Sequence, residues 1–139
     1  EYVIPLGVAD IKREGSDVTV VTYSRMVHHA LDAAEKLAAE GISAEVIDLR
    51  SLKPLDLEAI VSSVKKTGRL VGVTEAYRTG SVLGEIMALV NEEAFDYLDA
   101  PMVRIAAADV PVPMSESLEA AAVPSTESVI AGIRKVMGR

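Results

Sequence analysis

Apolar positions along the chain change period several times, and each change marks an element. Ala9 to Arg13 alternates weakly, then Glu14-Gly15-Ser16-Asp17 supplies turn residues. Val18 to Tyr23, VTVVTY, is β-branched and aromatic and predicts a strand. The two segments together predict an antiparallel hairpin. Ser24 stands where a helix cap is expected, and Val27, Ala30, Leu31, Ala34, Leu37 and Ala38 follow the helical period up to Gly41. Ala44 to Leu49 predicts a buried strand, and Pro54 breaks the chain. Asp56 caps a helix whose inner face is Leu57, Ile60, Val61 and Val64, with Lys65 and Lys66 in its last turn and Gly68 after it. Leu70 to Thr74 is the next strand, and its Gly72 points to close packing by a helix. Ser81 opens a long helix carrying Val82, Ile86, Leu89 and Val90 on one face, widened by Met87, Ala94 and Leu98, and ended by Pro101. Met102 to Ile105 follows as a strand. After it comes a Pro-rich excursion with one helical turn near Ser117 to Ala121, then a helix capped by Ser125 with Val129, Ile130, Ile133 and Val136 inward.

Strands alternating with helices imply βαβ units and right-handed crossovers. The expected architecture is a three-layer α/β/α sandwich around a mixed, mostly parallel sheet. With no repeat or linker in its 139 residues, the chain reads as a single domain, 1–139. It begins at Glu1 without an initiator Met, which suggests a piece of a longer protein.

Composition narrows the chemistry. Half of the residues are apolar but only 4% are aromatic, so the core must be aliphatic. Fourteen basic against 21 acidic residues, a net charge of -7, argue against nucleic acid or an anionic membrane as partner. The absence of Cys excludes disulfides, thiolate nucleophiles and Cys-ligated metals.

Candidate chemistry is sparse. His28 and His29 are adjacent on a helix and point about 100° apart, so they cannot share a metal, and the structural reading leads. Gly80 to Gly84 matches neither a dinucleotide nor a P-loop pattern. The carboxyl ends of the strands carry Arg25, Arg50, Glu75, Arg78 and Asp109, the edge where open α/β sheets bind ligands. Three readings compete for this edge: structural ion pairs, docking of a neighbouring domain, and a small polar ligand. Glu92, Glu93, Asp96 and Asp99 end the long helix, where the dipole disfavours negative charge. That placement reads equally as a docking face for a basic partner and as solvated helix charge.

The runs IPLGVADIKREGSDVTVVTYSRMVHHAL (Ile4 to Leu31), EGISAEVIDLRSLKPLD (Glu40 to Asp56), SVKKTGRLVGVTEAYRTG (Ser63 to Gly80) and EEAFDYLDAPMVRIAAADVPVP (Glu92 to Pro113) resemble one family. It is the beta subunit of the E1 component of 2-oxo acid dehydrogenase complexes, the pyruvate form being the nearest. The likeness covers the chain and lies in the C-terminal, transketolase-type domain. It implies a mixed five-stranded sheet between helices. It also implies a thiamine-diphosphate- and Mg-dependent parent enzyme whose cofactor is held by the alpha subunit and by the N-terminal domain of beta. No catalytic, cofactor or metal residue is therefore expected here. The implied partners are the E1 alpha subunit, a second beta subunit and the small basic binding domain of E2, docked near Glu92, Asp96 and Asp99, and the implied location is cytoplasmic. Relatives often carry an aromatic residue where this chain has Met114. The alternatives are a free-standing ligand-binding module using the strand-end charges, or the equivalent domain of transketolase or of a deoxyxylulose-phosphate synthase.

Overall fold

The computed structural model describes residues 2–139. Five strands form one sheet in the order β1-β3-β2-β4-β5: β1 Asp10–Arg13, β2 Val18–Thr22, β3 Ala44–Asp48, β4 Leu70–Tyr77 and β5 Val103–Ala107. β2, β3, β4 and β5 are parallel, and β1 runs antiparallel to β3. The helices are α1 Met26–Ala38, α2 Leu57–Thr67, α3 Val82–Ala94, α4 Glu116–Ala122 and α5 Thr126–Val136. Alternate β2 residues divide the core. Val18 and Val20 pack with α1 and α5 on one face, and Val21 packs with α2 and α3 on the other. The expected α/β/α sandwich is the observed one.

The expected hairpin is not. β1 pairs with β3, Asp10 opposite Asp48, at the far side of β3 from β2. Between β1 and β2 the chain crosses the start of β3. There Ser16 and Asp17 donate backbone N–H bonds to Ser43 O, and a Cβ built on Gly15 would lie 2.2 Å from Glu45 N. Only glycine fits that crossing.

Local signals explain most helix ends. Asp56 accepts from Ala59 N, Gly68 closes α2 at φ 70°, and Ser125 with Ser128 forms a capping box on α5. Ser24 is different: it adopts φ 56°, and its hydroxyl does not cap α1. Ser81 occupies the α3 cap position, yet its buried hydroxyl finds no partner among the described residues. The long helix stops at Ala94 and passes into a 3₁₀ turn, Phe95–Tyr97. Leu83, rather than Val82, is fully buried on α3, and it explains Gly72: a Cβ there would meet Leu83 Cδ2 at 2.9 Å.

Two carboxylates of β3, Glu45 and Asp48, are buried, Asp48 at the end of the strand and Glu45 within it. Glu45, in the middle of the apolar run of β3, is 1% exposed and accepts from Lys66 Nζ at 2.5 Å and from Gly15 N at 3.3 Å. Beside it Thr19 Oγ1 bonds Ser63 Oγ at 2.6 Å and Thr67 Oγ1 at 2.8 Å. This polar seam fastens α2 to the sheet.

Candidate functional site

The parallel strands deliver the predicted charged residues to one edge, where they separate into three groups. At the β2 and β4 ends, Arg25 Nη2 lies 3.3 Å from Glu75 Oε2 and 4.0 Å from Glu119 Oε1 on α4. Ser24 Oγ reaches Glu75 at 3.4 Å, and Tyr23 OH and Thr74 Oγ1 bond at 2.7 Å. The Arg25 and Glu75 side chains are 53% and 37% exposed, so their pairing contributes at most about 1 kcal/mol.

Arg50 belongs to a second group. Its N–H donates to Asp48 Oδ1 at 3.1 Å and its Nη1 to Asp48 Oδ2 at 3.2 Å. Asp48 is nearly buried, so its oxygens serve this one residue. The third group joins the loops after β4 and β5. Arg78 Nη1 donates to Arg104 O at 3.0 Å, and Asp109 accepts from Thr79 Oγ1 at 2.6 Å and Thr79 N at 3.0 Å. Those Thr79 bonds hold the Asp109 carboxyl below its ordinary range.

The histidines part company. His29 Nδ1 bonds Thr126 Oγ1 at 3.0 Å and ties α1 to the start of α5. His28 is exposed and borders a cavity of about 620 Å³ at the carboxyl ends of β2 and β3. Among the described residues no three His, Cys, Asp or Glu side chains are gathered to hold a metal ion.

Glu92, Asp96 and Asp99 are all exposed around the 3₁₀ turn. Phe95 (64% exposed) and Tyr97 (49%) stand among them, with Lys65 Nζ 5.1 Å from the centre of the Tyr97 ring. The chain has one Phe and four Tyr. Four of these five, Tyr2, Tyr77, Phe95 and Tyr97, are exposed. Sequence reasoning missed the aromatic part of this face. The available signal was that two of five scarce aromatics lie inside an acidic run.

The profile of the family described as transketolase, C-terminal domain, matches residues 7–129. The chain belongs to that family. This transketolase C-terminal domain is 50% identical over its whole length to the mitochondrial pyruvate dehydrogenase E1 component subunit beta of Dictyostelium discoideum, covering 39% of that protein. It is 54% identical over 99% of its length to the beta-1 subunit of Arabidopsis thaliana, covering 38% of it. With the beta subunit of Bacillus subtilis it shares 44% identity over 99% of its length and 42% of that protein. The chain thus spans about two-fifths of the length of these curated relatives. Among solved structures, an inactive beta4 tetramer of a split-gene transketolase superposes with TM-score 0.86 at 32% identity, over 97% of this chain and 44% of the other. A 2-oxoglutarate:ferredoxin oxidoreductase from Magnetococcus marinus shares the fold alone, at TM-score 0.62 and 10% identity. Among the described residues no helix is long and apolar enough to cross a membrane.

Proposed function

We propose that this chain is the C-terminal assembly and docking domain of the beta subunit of a thiamine-diphosphate-dependent 2-oxo acid dehydrogenase E1, with pyruvate as substrate and no catalytic residue of its own. The observation that carries the reading is the 44–54% identity, over nearly the whole chain, to proteins named as pyruvate dehydrogenase E1 beta subunits. The exposure of four of five aromatics supports it, because exposed aromatic patches in otherwise polar surfaces mark interfaces. The proposed partners are the E1 alpha subunit, a second beta subunit and a basic domain of E2. The last would meet Glu92, Asp96 and Asp99, with Phe95 and Tyr97 as apolar anchors. The cytoplasmic location goes with this reading; four relatives are named mitochondrial and the Bacillus one is not.

A 2-oxoisovalerate dehydrogenase beta subunit at 44% identity keeps branched-chain substrates as a second reading, and a transketolase role rests on 32% identity to the split-gene structure. The test is reconstitution of the complete beta subunit with alpha, assayed on pyruvate and on 2-oxoisovalerate. Pyruvate turnover is expected, with reversal of Glu92, Asp96 and Asp99 to Lys leaving E1 activity intact and weakening E2-domain binding about tenfold at low salt. The isolated chain is expected to give no heat with thiamine diphosphate. Tight one-to-one binding of the cofactor by the isolated chain would overturn the non-catalytic assignment, and unaltered E2 binding the docking face.

A further inference from the structure

A cavity of about 620 Å³ opens at the carboxyl ends of β2 and β3. β2 passes into α1 on one face of the sheet, and β3 into α2 on the other. Loops leaving neighbouring strands towards opposite faces leave a crevice between them, at the carboxyl ends of the strands where open α/β sheets bind ligands. The volume is that of a small-molecule site.

Backbone strain converges on the same place. Ser24 (φ 56°) and Arg50 (φ 58°) are the two non-glycine residues of positive φ among those described, and both border this cavity. Such conformations cost free energy at residues with a Cβ and gather at ligand sites. At Arg50 the strain is held by the nearly buried Asp48, which takes both the backbone N–H and Nη1. The other guanidinium N–H groups have no acceptor among the described residues. Lys12 enters the same cavity from β1, its Nζ 2.5 Å from Asp10, which lies outside the lining. The Asp10 bond holds the Lys12 ammonium above its ordinary range, against burial and against the charge of Arg50. Lys12 and Arg50 thus line one crevice, each paired on one side with a carboxylate, Asp10 outside the lining and Asp48 within it, and each carries further N–H donors that an anion can take. Exposed His28 stands at the rim, and Val27 and Leu52 supply an apolar wall.

We propose that this crevice binds a small anion, its carboxylate or phosphate head between Lys12 and Arg50 and a short apolar group against Val27 and Leu52. The site is distinct from the acidic docking face and does not depend on the assembly role.

Calorimetric titration of the 139-residue chain with acetate, butyrate and inorganic phosphate, at ionic strength matched with chloride, tests it. Saturable one-site binding is expected. Tighter butyrate than acetate identifies a carboxylate with a tail, and phosphate tighter than both identifies a phosphate head. Lys12→Gln is expected to weaken binding about tenfold or more, as loss of a charge-assisted bond does, while Arg25→Gln leaves it unchanged. Arg50→Gln leaves Asp48 without its partner, so Lys12→Gln on the edge strand is the deciding variant. Absence of saturable heat with all three anions, or equal affinity in Lys12→Gln, overturns the proposal.

Discussion

Replacing Lys66 by methionine would strand a carboxylate inside the sheet. Glu45 is 1% exposed, and its partner Lys66 is 45% exposed and also lies 3.3 Å from Glu14. Removing one partner of a buried pair costs about 3–5 kcal/mol, against about 0.2–1 kcal/mol for a surface pair. Glu45 belongs to the first class, and the solvent access of Lys66 moves the estimate to the low end, about 3 kcal/mol near neutral pH. With a urea slope of about 2 kcal/mol per M, the unfolding midpoint drops by about 1.5 M.

The pH dependence gives the stricter test. In the native protein burial pushes the Glu45 carboxyl up, but the bonds from Lys66, Ser63 and Gly15 outweigh it and hold the group below its ordinary 4.5. Its stabilising effect is complete above the unfolded value and is lost as pH falls through the native one. In Lys66→Met the burial remains and the ammonium is gone, so the carboxyl titrates above 4.5. The variant's deficit is then greatest near pH 7 and shrinks towards about pH 4, where Glu45 folds in protonated. Urea denaturation of both proteins at the two pH values measures it. A deficit below about 1 kcal/mol at pH 7, or one that stays constant with pH, refutes the reasoning. The double change Glu45→Leu with Lys66→Met removes both charges and is expected to recover most of the loss.

Three further outcomes are expected. Gly15→Ala drives a Cβ to 2.2 Å from Glu45 N and 2.3 Å from the Ala44 carbonyl carbon, backbone that cannot rotate away, and should cost about 1–3 kcal/mol or more. Gly84→Ala meets open space inside α3 and should stabilise by about 1 kcal/mol, so thermal unfolding should separate the two in opposite directions. The Asp109 carboxyl should titrate below 3.8 by NMR and move back towards that value in Thr79→Val; an unmoved midpoint would contradict the assigned bonds.

The sequence shows what is periodic and hides what is a crossing. α1, α2 and α5 were legible because their apolar residues repeat at the helical period and Gly41, Gly68, Asp56 and Ser125 mark their ends. On α3 Val82, Ile86 and Val90 do meet the core, Val82 only in part, and the fully buried Leu83 beside it was missed. The partner of β1 was not legible. Glu14 to Asp17 has hairpin composition, but composition does not say that Gly15 must slide under the backbone of β3. The candidate site was half legible. Position at strand ends predicted which charges gather there, since topology decides that. Their pairing depends on loop conformations such as φ 58° at Arg50, which a Cβ disfavours and no local signal announces. Lys12 was passed over because an edge-strand lysine is ordinary. Glu45 left a mark that went unused, a charge flanked by Ala44 and Val46 inside a strand otherwise read as buried.

The far-side placement of β1 also orders events in time. β1 emerges from the ribosome before the other strands of this sheet, yet the backbone it pairs with, Val46 to Asp48, is made more than thirty residues later. β2 meets that same strand in parallel register and needs α1 wound first. This first strand of the sheet must therefore wait, unpaired, while the middle of the sheet is built beside it. Its brevity, its bulge and the charges of Asp10, Lys12 and Arg13 suit that interval, because they discourage a nascent neighbour from pairing there instead.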